Sequence, residues 1–267
     1  IAELPETVDL AIIVVPRQHV VQAVRDCVQS GVQAVVVITQ GLADADEQGQ
    51  AWQREIQAIV AGTATRLIGP NTIGLANAFS NFHTSFQRFD FSPKANAMIC
   101  QSGMFVLASA DFTTGLGMGL DIGNAADIGF ADLLPCLAAD DRIQVINLHM
   151  ESLTNGEQFV RAAAKITREK PIVAYKIGRS EQGARAAASH SGALAGADHG
   201  FSAAFDKAGI IRVDDLEEMQ DLNKALLTWP TIKGRRIAIV SLSGGGGIAV
   251  LDSLGRYGLE AAQPGPA

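Results

Sequence analysis

Short apolar runs alternate with amphipathic segments along the whole chain, and this restricts the fold to a parallel sheet wrapped by helices. Residues 10–15, 34–38, 97–100, 143–150 and 171–176 are rich in Val, Ile, Leu and Ala, and each is too short for a buried helix. Between them, apolar positions recur every three to four residues over 18–30, 46–61, 130–138, 156–166, 197–208 and 215–227. A β–α succession of this kind predicts βαβ units whose strands are covered on both faces. Residues 78–94 form a Phe-rich polar stretch with no clear period, which reads as a connection between two such units. Trp229-Pro230 through Lys233-Gly234 reads as a linker, and residues 236–240 followed by Ser243 and four glycines begin a third unit. The expected domains are therefore 1–92, 93–230 and 231–267. With Ile1 in place of Met and a third unit barely begun, the chain reads as an internal piece of a longer polypeptide.

Composition narrows the setting. With 48% hydrophobic and 18% charged residues the chain is globular rather than disordered. A net charge of −7 argues against a nucleic-acid surface. Cys27, Cys100 and Cys136 are far apart and form no CxxC pair, so a reducing cytoplasmic setting is expected and a metal site is not. No apolar run approaches the ~20 residues that would span a bilayer.

Parallel sheets present ligands with their carboxyl-terminal strand ends. Four polar signals fall there in the second unit. Gln101-Ser102-Gly103 opens a helix that ends near Thr113 and offers unpaired N–H groups to an anion. Asn124 with Asp127 follows the extended residues 119–123, and Glu151 ends the strand over 143–150. The fourth is His190, held in a collar of Ala, Ser and Gly that leaves its ring approachable. A carboxylate such as Glu151 that accepts an imidazole N–H makes the other ring nitrogen more nucleophilic. Together these groups compose a cradle for a phosphorylated histidine. His19, His83 and His199 read as incidental, and His149, two residues before Glu151, as structural. The run Gly244–Gly247 suits a phosphate loop but lacks the Lys-Ser/Thr of a P-loop.

The string Lys176-Ile177-Gly178-Arg179-Ser180-Glu181, continuing through Ser189-His190-Ser191-Gly192-Ala193-Leu194-Ala195-Gly196, resembles the phosphohistidine segment of the NDP-forming acyl-CoA synthetases. These are relatives of the succinyl-CoA synthetase alpha subunit. Gly69-Pro70-Asn71-Thr72-Ile73-Gly74, Gln101-Ser102-Gly103, Gly123-Asn124-Ala125-Ala126-Asp127 and Lys170-Pro171-Ile172-Val173 match in the family's order. The resemblance implies a Rossmann-like CoA-binding domain followed by a flavodoxin-like domain of the succinyl-CoA-synthetase type, both with parallel sheets. It implies that His190 is phosphorylated, that Glu151 is its partner carboxylate, and that Ser102 and Gly103 hold the phosphoryl group. It places Asn71 and Thr72 near the thioester end of CoA, and Val15, Pro16, Thr39, Gln40 and Gly41 along the CoA face. The acyl pocket is expected near Asn71, Gln101 and Asn124. The implied ligands are CoA, a small carboxylic acid and ADP/ATP with Mg²⁺, the nucleotide being held by an ATP-grasp domain or subunit in an oligomeric assembly.

The sequence departs from the family pattern in four places. The earlier glycine-containing turn that grips CoA is not present, Gln40 stands where Glu is frequent, Ser191 replaces Thr, and no ATP-grasp half is visible. Two rival readings follow. One is a non-catalytic CoA-sensing domain of a protein acyltransferase, a class that tends to lose the histidine kept here. The other is a nicotinamide-dependent oxidoreductase, which would need a complete GxGxxG element that this chain lacks.

Overall fold

A computed structural model describes residues 1, 3–87, 93–183, 185, 198–229, 234–263 and 265. Two compact units emerge, Ile1–Thr228 and Trp229–Ala267. The larger unit holds two sheets. In the first, β1 (Leu10–Ile13), β2 (Ala34–Val37) and β3 (Arg66–Ile68) run parallel in the order β1-β2-β3. Side chains alternate across a strand, so Ala11, Ile13, Val35, Val37 and Leu67 share one buried face. Against it pack Val20, Val24 and Cys27 of α1 (Val20–Gln29) and Ile56 and Val60 of α2 (Glu47–Val60). The helix expected over 18–30 thus begins later, after a 3-10 turn at Arg17–His19. The Asp46 carboxylate caps α2 by accepting the Gly49 N–H at 2.7 Å, satisfying an amide that the helix itself leaves free.

The second sheet has the order β10-β9-β8-β6-β7-β4-β5. Its parallel part comprises β10 (Ile211–Val213), β9 (Ile172–Lys176), β8 (Val145–Met150), β6 (Asn96–Cys100) and β7 (Met118–Asp121). Every residue of β6 and β8 is buried, which is why these strands read as mainly apolar runs, interrupted only by the buried Asn96, Asn147 and His149. One face carries α5 (Phe130–Ala138), α6 (Gly156–Ile166) and α7 (Asp198–Ala208), whose Phe130, Leu134, Phe159 and Phe205 build the main core. Elements α3 (Met104–Leu107), α4 (Ser109–Thr113) and α8 (Leu216–Thr228) contribute Val106, Phe112 and Met219 to a second cluster, with Met98 and Val173 of the sheet. The Lys170 amine closes α5 by donating to the carbonyls of Leu137, Ala138 and Asp140, where a helix C-terminus favours a cation.

Two sequence expectations are corrected. The single helix expected from Gly103 to Thr113 is broken at Ala108 into α3 and α4. Residues 78–94, expected to lack regular structure, include β5 (Phe82–His83). It pairs antiparallel with β4 (Leu75–Asn77), which in turn pairs antiparallel with β7. The chain therefore leaves β3 of one sheet and enters β4, the next-to-last strand of the other, within a few residues. In the smaller unit, β11 (Arg236–Ile237) pairs parallel with β12 (Glu260–Ala261) beside α9 (Gly244–Arg256), whose N-cap Ser243 accepts the Gly246 N–H.

Candidate functional site

The carboxyl ends of β2, β3, β6 and β7 surround a cavity of about 450 Å³ within the larger unit. Its walls include Ile38, Thr39 and Gln40 after β2, and Asn71, Thr72 and Ile73 after β3. Gln101, Ser102 and Gly103 after β6, Asp121 of β7 and Phe86 complete it.

The walls are fixed by backbone as much as by side chains. Asn71 has a φ of 60°, and its N–H donates to the Thr39 carbonyl at 3.0 Å, joining the ends of β2 and β3. The Asn71 Nδ2 donates to the Asn124 Oδ1 at 3.3 Å, while the Asn124 Nδ2 donates to Asp44 Oδ1 and Gln53 Oε1, both at 2.9 Å. Asn124 thus ties the first sheet to the loop after β7. The Asn124 and Ala126 N–H groups donate to the Pro70 and Gly69 carbonyls at 2.9 Å, and Gln57 Nε2 donates to the Ala126 carbonyl at 3.0 Å. At Gly103 a Cβ would lie 2.5 Å from Ile73 Cγ2, so the helix start after β6 meets the β3–β4 turn only because this residue is glycine.

Two buried polar side chains of the wall, Gln101 and Asp121, anchor the surrounding loops. Gln101 Oε1 accepts the N–H groups of Glu151 at 2.8 Å and Ser152 at 3.0 Å, and its Nε2 donates to Ser152 Oγ at 3.1 Å. The Gln101 amide thus ties the turn carrying Glu151 to the end of β6. Asp121 is 1% exposed and is the only ionisable side chain among the described wall residues. Its Oδ2 accepts the Ile73 N–H at 2.8 Å and its Oδ1 the Gly123 N–H at 3.1 Å, while its carbonyl accepts the Thr72 hydroxyl. Burial pushes its carboxyl up to about 6 against the pull of these hydrogen bonds, with the Glu151 charge adding to the rise.

A larger groove of about 1070 Å³ opens between α6 and α7, over Leu153, Val160, Ala164 and Ala204. Its polar groups are helix-surface Glu157, Arg161, Lys165, Arg168 and Lys207, with no strand-end cluster, so the smaller cavity is the better candidate for chemistry.

Comparison with known proteins decides the family. The profile described as "CoA binding domain" matches residues 1–78, and that described as "Succinyl-CoA ligase like flavodoxin domain" matches 93–226. The chain belongs to the NDP-forming acyl-CoA synthetase family. Among curated members, the ADP-forming acetate–CoA ligase II subunit alpha of Pyrococcus furiosus is 38% identical over 98% of this chain. The ADP-forming acetate–CoA ligase I of Archaeoglobus fulgidus is 36% identical, also over 98%. The chain spans 58% and 38% of the lengths of these two synthetases. A solved structure, acetyl-coenzyme A synthetase 1 of Ca. Korarchaeum cryptofilum in complex with phosphate and ADP, superposes with a TM-score of 0.91 at 31% identity. That match covers 99% of this chain and 58% of the synthetase chain. The α/β architecture expected from the sequence is that of this family.

The structure brings Thr39, Gln40, Asn71, Thr72, Gln101, Ser102 and Gly103 to one cavity. Val15 and Gly41 adjoin it without lining it: the Val15 carbonyl accepts the Thr39 hydroxyl at 2.7 Å, and the Gly41 carbonyl accepts Arg17 Nη1 at 3.0 Å. Pro16 precedes the 3-10 turn. Asn124 and Glu151 stand one contact behind the wall, through Asn71 and Gln101. Asp127, which the sequence groups with Asn124, turns away to accept Arg66 Nε and Nη2 and the Leu67 N–H. His190 lies outside the described residues. Sequence reasoning missed Asp121, Ile73, Phe86 and Ile38; for Asp121 the available signal was an acid at the end of an extended segment.

Proposed function

We propose that the chain is the CoA- and acyl-handling part of an NDP-forming acyl-CoA synthetase that works through a phosphohistidine. The observation that carries this reading is the meeting of Asn71 and Thr72, which the motifs assign to the thioester end, with Gln101, Ser102 and Gly103, assigned to the phosphoryl end, around one cavity. Both reactants of an acyl transfer need such a common space.

In the acyl-CoA-consuming direction, a phosphate oxygen attacks the thioester carbonyl. The C–S bond breaks, CoA leaves as its thiol after taking a proton, and an acyl phosphate remains. The His190 imidazole then attacks phosphorus, the bond to the acyl oxygen breaks, and the free carboxylate departs. An oxygen of the ADP β-phosphate finally attacks the phosphohistidine, breaking the P–N bond and regenerating the imidazole. Asn71 and Thr72 orient the thioester. The first N–H groups after Ser102, which no intrahelical carbonyl accepts, meet the phosphoryl oxygens. Glu151, held by Gln101, orients the imidazole. The nucleotide step belongs to an ATP-grasp domain or subunit, and the acid is a small carboxylic acid such as acetate, as the relatives' names suggest.

The test is phosphoryl transfer from labelled ATP to the complete polypeptide together with its ATP-grasp part, comparing wild type with His190→Ala. An acid-labile, base-stable label that disappears in the variant supports the reading. A wild type that binds CoA but takes up no label overturns it in favour of a CoA sensor.

A further inference from the structure

We propose that Asp121 is a positioning residue for the acyl half of this reaction: its buried carboxylate clamps the β3–β4 turn onto the loop after β7 and so sets Asn71 and Thr72 in the cavity. The inference rests on the function proposed above and assigns a role to a residue outside the matching motifs.

Five contacts converge on Asp121, and those from Thr72, Ile73 and Gly74 come from a turn about fifty residues away in the chain. The carboxylate accepts the Ile73 and Gly123 N–H groups, one on each oxygen. The backbone accepts the Thr72 hydroxyl and donates to the Gly74 carbonyl at 3.1 Å, and Cys100 Sγ lies 3.9 Å from Oδ1. Thr72 is held a second time, because its hydroxyl also accepts the Gly74 N–H at 2.8 Å. Thr72 is therefore held by the Asp121 carbonyl and by Gly74, whose own carbonyl accepts the Asp121 N–H, and Asn71 is its chain neighbour.

Only an ionised carboxylate does this with both oxygens as acceptors. An amide in its place would aim an NH₂ at one of the two N–H donors. Among the described residues, no cation stands among the main influences on this carboxylate. The ionisable groups around it are the Cys100 thiol from β6 and the Glu151 carboxylate beyond the end of β8, and the β3–β4 turn offers only amides and a hydroxyl. The carboxylate sits near the edge of its ionised range at neutral pH, because burial has raised it to about 6. Acid should therefore release one arm of the clamp.

The experiment uses the full-length enzyme with its ATP-grasp part, wild type and Asp121→Asn, over pH 5 to 8. Two rates are followed: phosphate-dependent release of CoA thiol from acetyl-CoA, and phosphohistidine formation from labelled ATP. The expected result is that D121N keeps its label-formation rate and its KM for acetyl-CoA within a few-fold. Its kcat for thiol release should fall about a hundredfold, the scale of a misplacement near 1 Å. In wild type the ratio of thiol release to label formation should drop below about pH 6, and in D121N it should stay flat. If D121N matches wild type in both rates, or loses both equally, the positioning role is overturned while the proposed reaction stands. If D121N does not fold, the wild-type ratio decides alone, and a ratio constant from pH 8 to 5 overturns the role. An unlabelled wild type overturns the reaction and the role together.

Discussion

Gly123 lies so close to Asn71 that a Cβ on it would sit 2.3 Å from the Asn71 carbonyl oxygen, and equally near that of Pro70. The backbone of the loop after β7 is in contact with the turn after β3, with no room for a side chain between them. Gly123 also has a φ of +50°, where an L-residue is strained by about 1–2 kcal/mol. Gly123→Ala should lower unfolding free energy by about 2–4 kcal/mol, since two backbones must part as well. Chemical denaturation checks this, and a loss below about 1 kcal/mol would mean the two loops separate easily.

Asp121 makes stability depend on pH with a defined sign. Its folded carboxyl, near 6, lies above its ordinary value of 3.8, so the folded chain binds the extra proton between these limits. The contribution is fully present below about pH 4 and is lost as pH rises through about 6. The unfolding free energy of wild type minus that of Asp121→Asn should therefore fall by roughly 2.5 kcal/mol from pH 4 to 7.5. A flat difference would show that the carboxyl titrates normally. In this account the ionised form that holds both amides is also the less stable one.

Gln101→Ala should affect the Glu151 turn more than its own position suggests. It removes the acceptor of two backbone N–H groups, each worth about 1–3 kcal/mol when buried without a partner. The expected outcome is a loss within that range, softened where cavity water replaces the amide, together with faster hydrogen exchange at Glu151 and Ser152. Unchanged exchange at those two amides would contradict the role given to Gln101.

Arg66 and Asp127 form a two-pronged pair at 2.9 and 3.2 Å, yet the two partners should not be equivalent. Arg66 is 48% exposed at its side chain, so Arg66→Ala should cost less than about 1 kcal/mol. Asp127→Ala also strips the Leu67 N–H of its acceptor and should cost more, by about 1 kcal/mol. Equal losses in thermal or chemical unfolding would show that the amide contact contributes nothing.

The parts of the fold legible in the sequence are those whose environment is uniform. Strands β6 and β8 are buried at every position, and α5 spans the residues that its apolar period marks. Strands β4 and β5 are three and two residues long, and Phe82 and His83 are exposed, so no alternation could register. The break at Ala108 was hidden because the apolar residues continue on both sides of it. At the site, Asn71, Thr72, Gln101, Ser102 and Gly103 stood in short motifs at strand ends. Asp121 did not, because its partners Ile73 and Gly123 are backbone amides, and any residue type supplies those.

The route of the chain from β3 into β4 has an evolutionary consequence. The turn from Gly69 to Gly74 ends a strand of one sheet and leads into β4, the next-to-last strand of the other, while its middle residues wall the cavity. An insertion there would shift both sheets at once, so chain length at this point is not free to vary with substrate. Under the function proposed here, diversification of the acyl end should instead run through side-chain replacement at Ile38, Ile73 and Phe86. The last is 68% exposed at the rim and can change in size without disturbing either sheet.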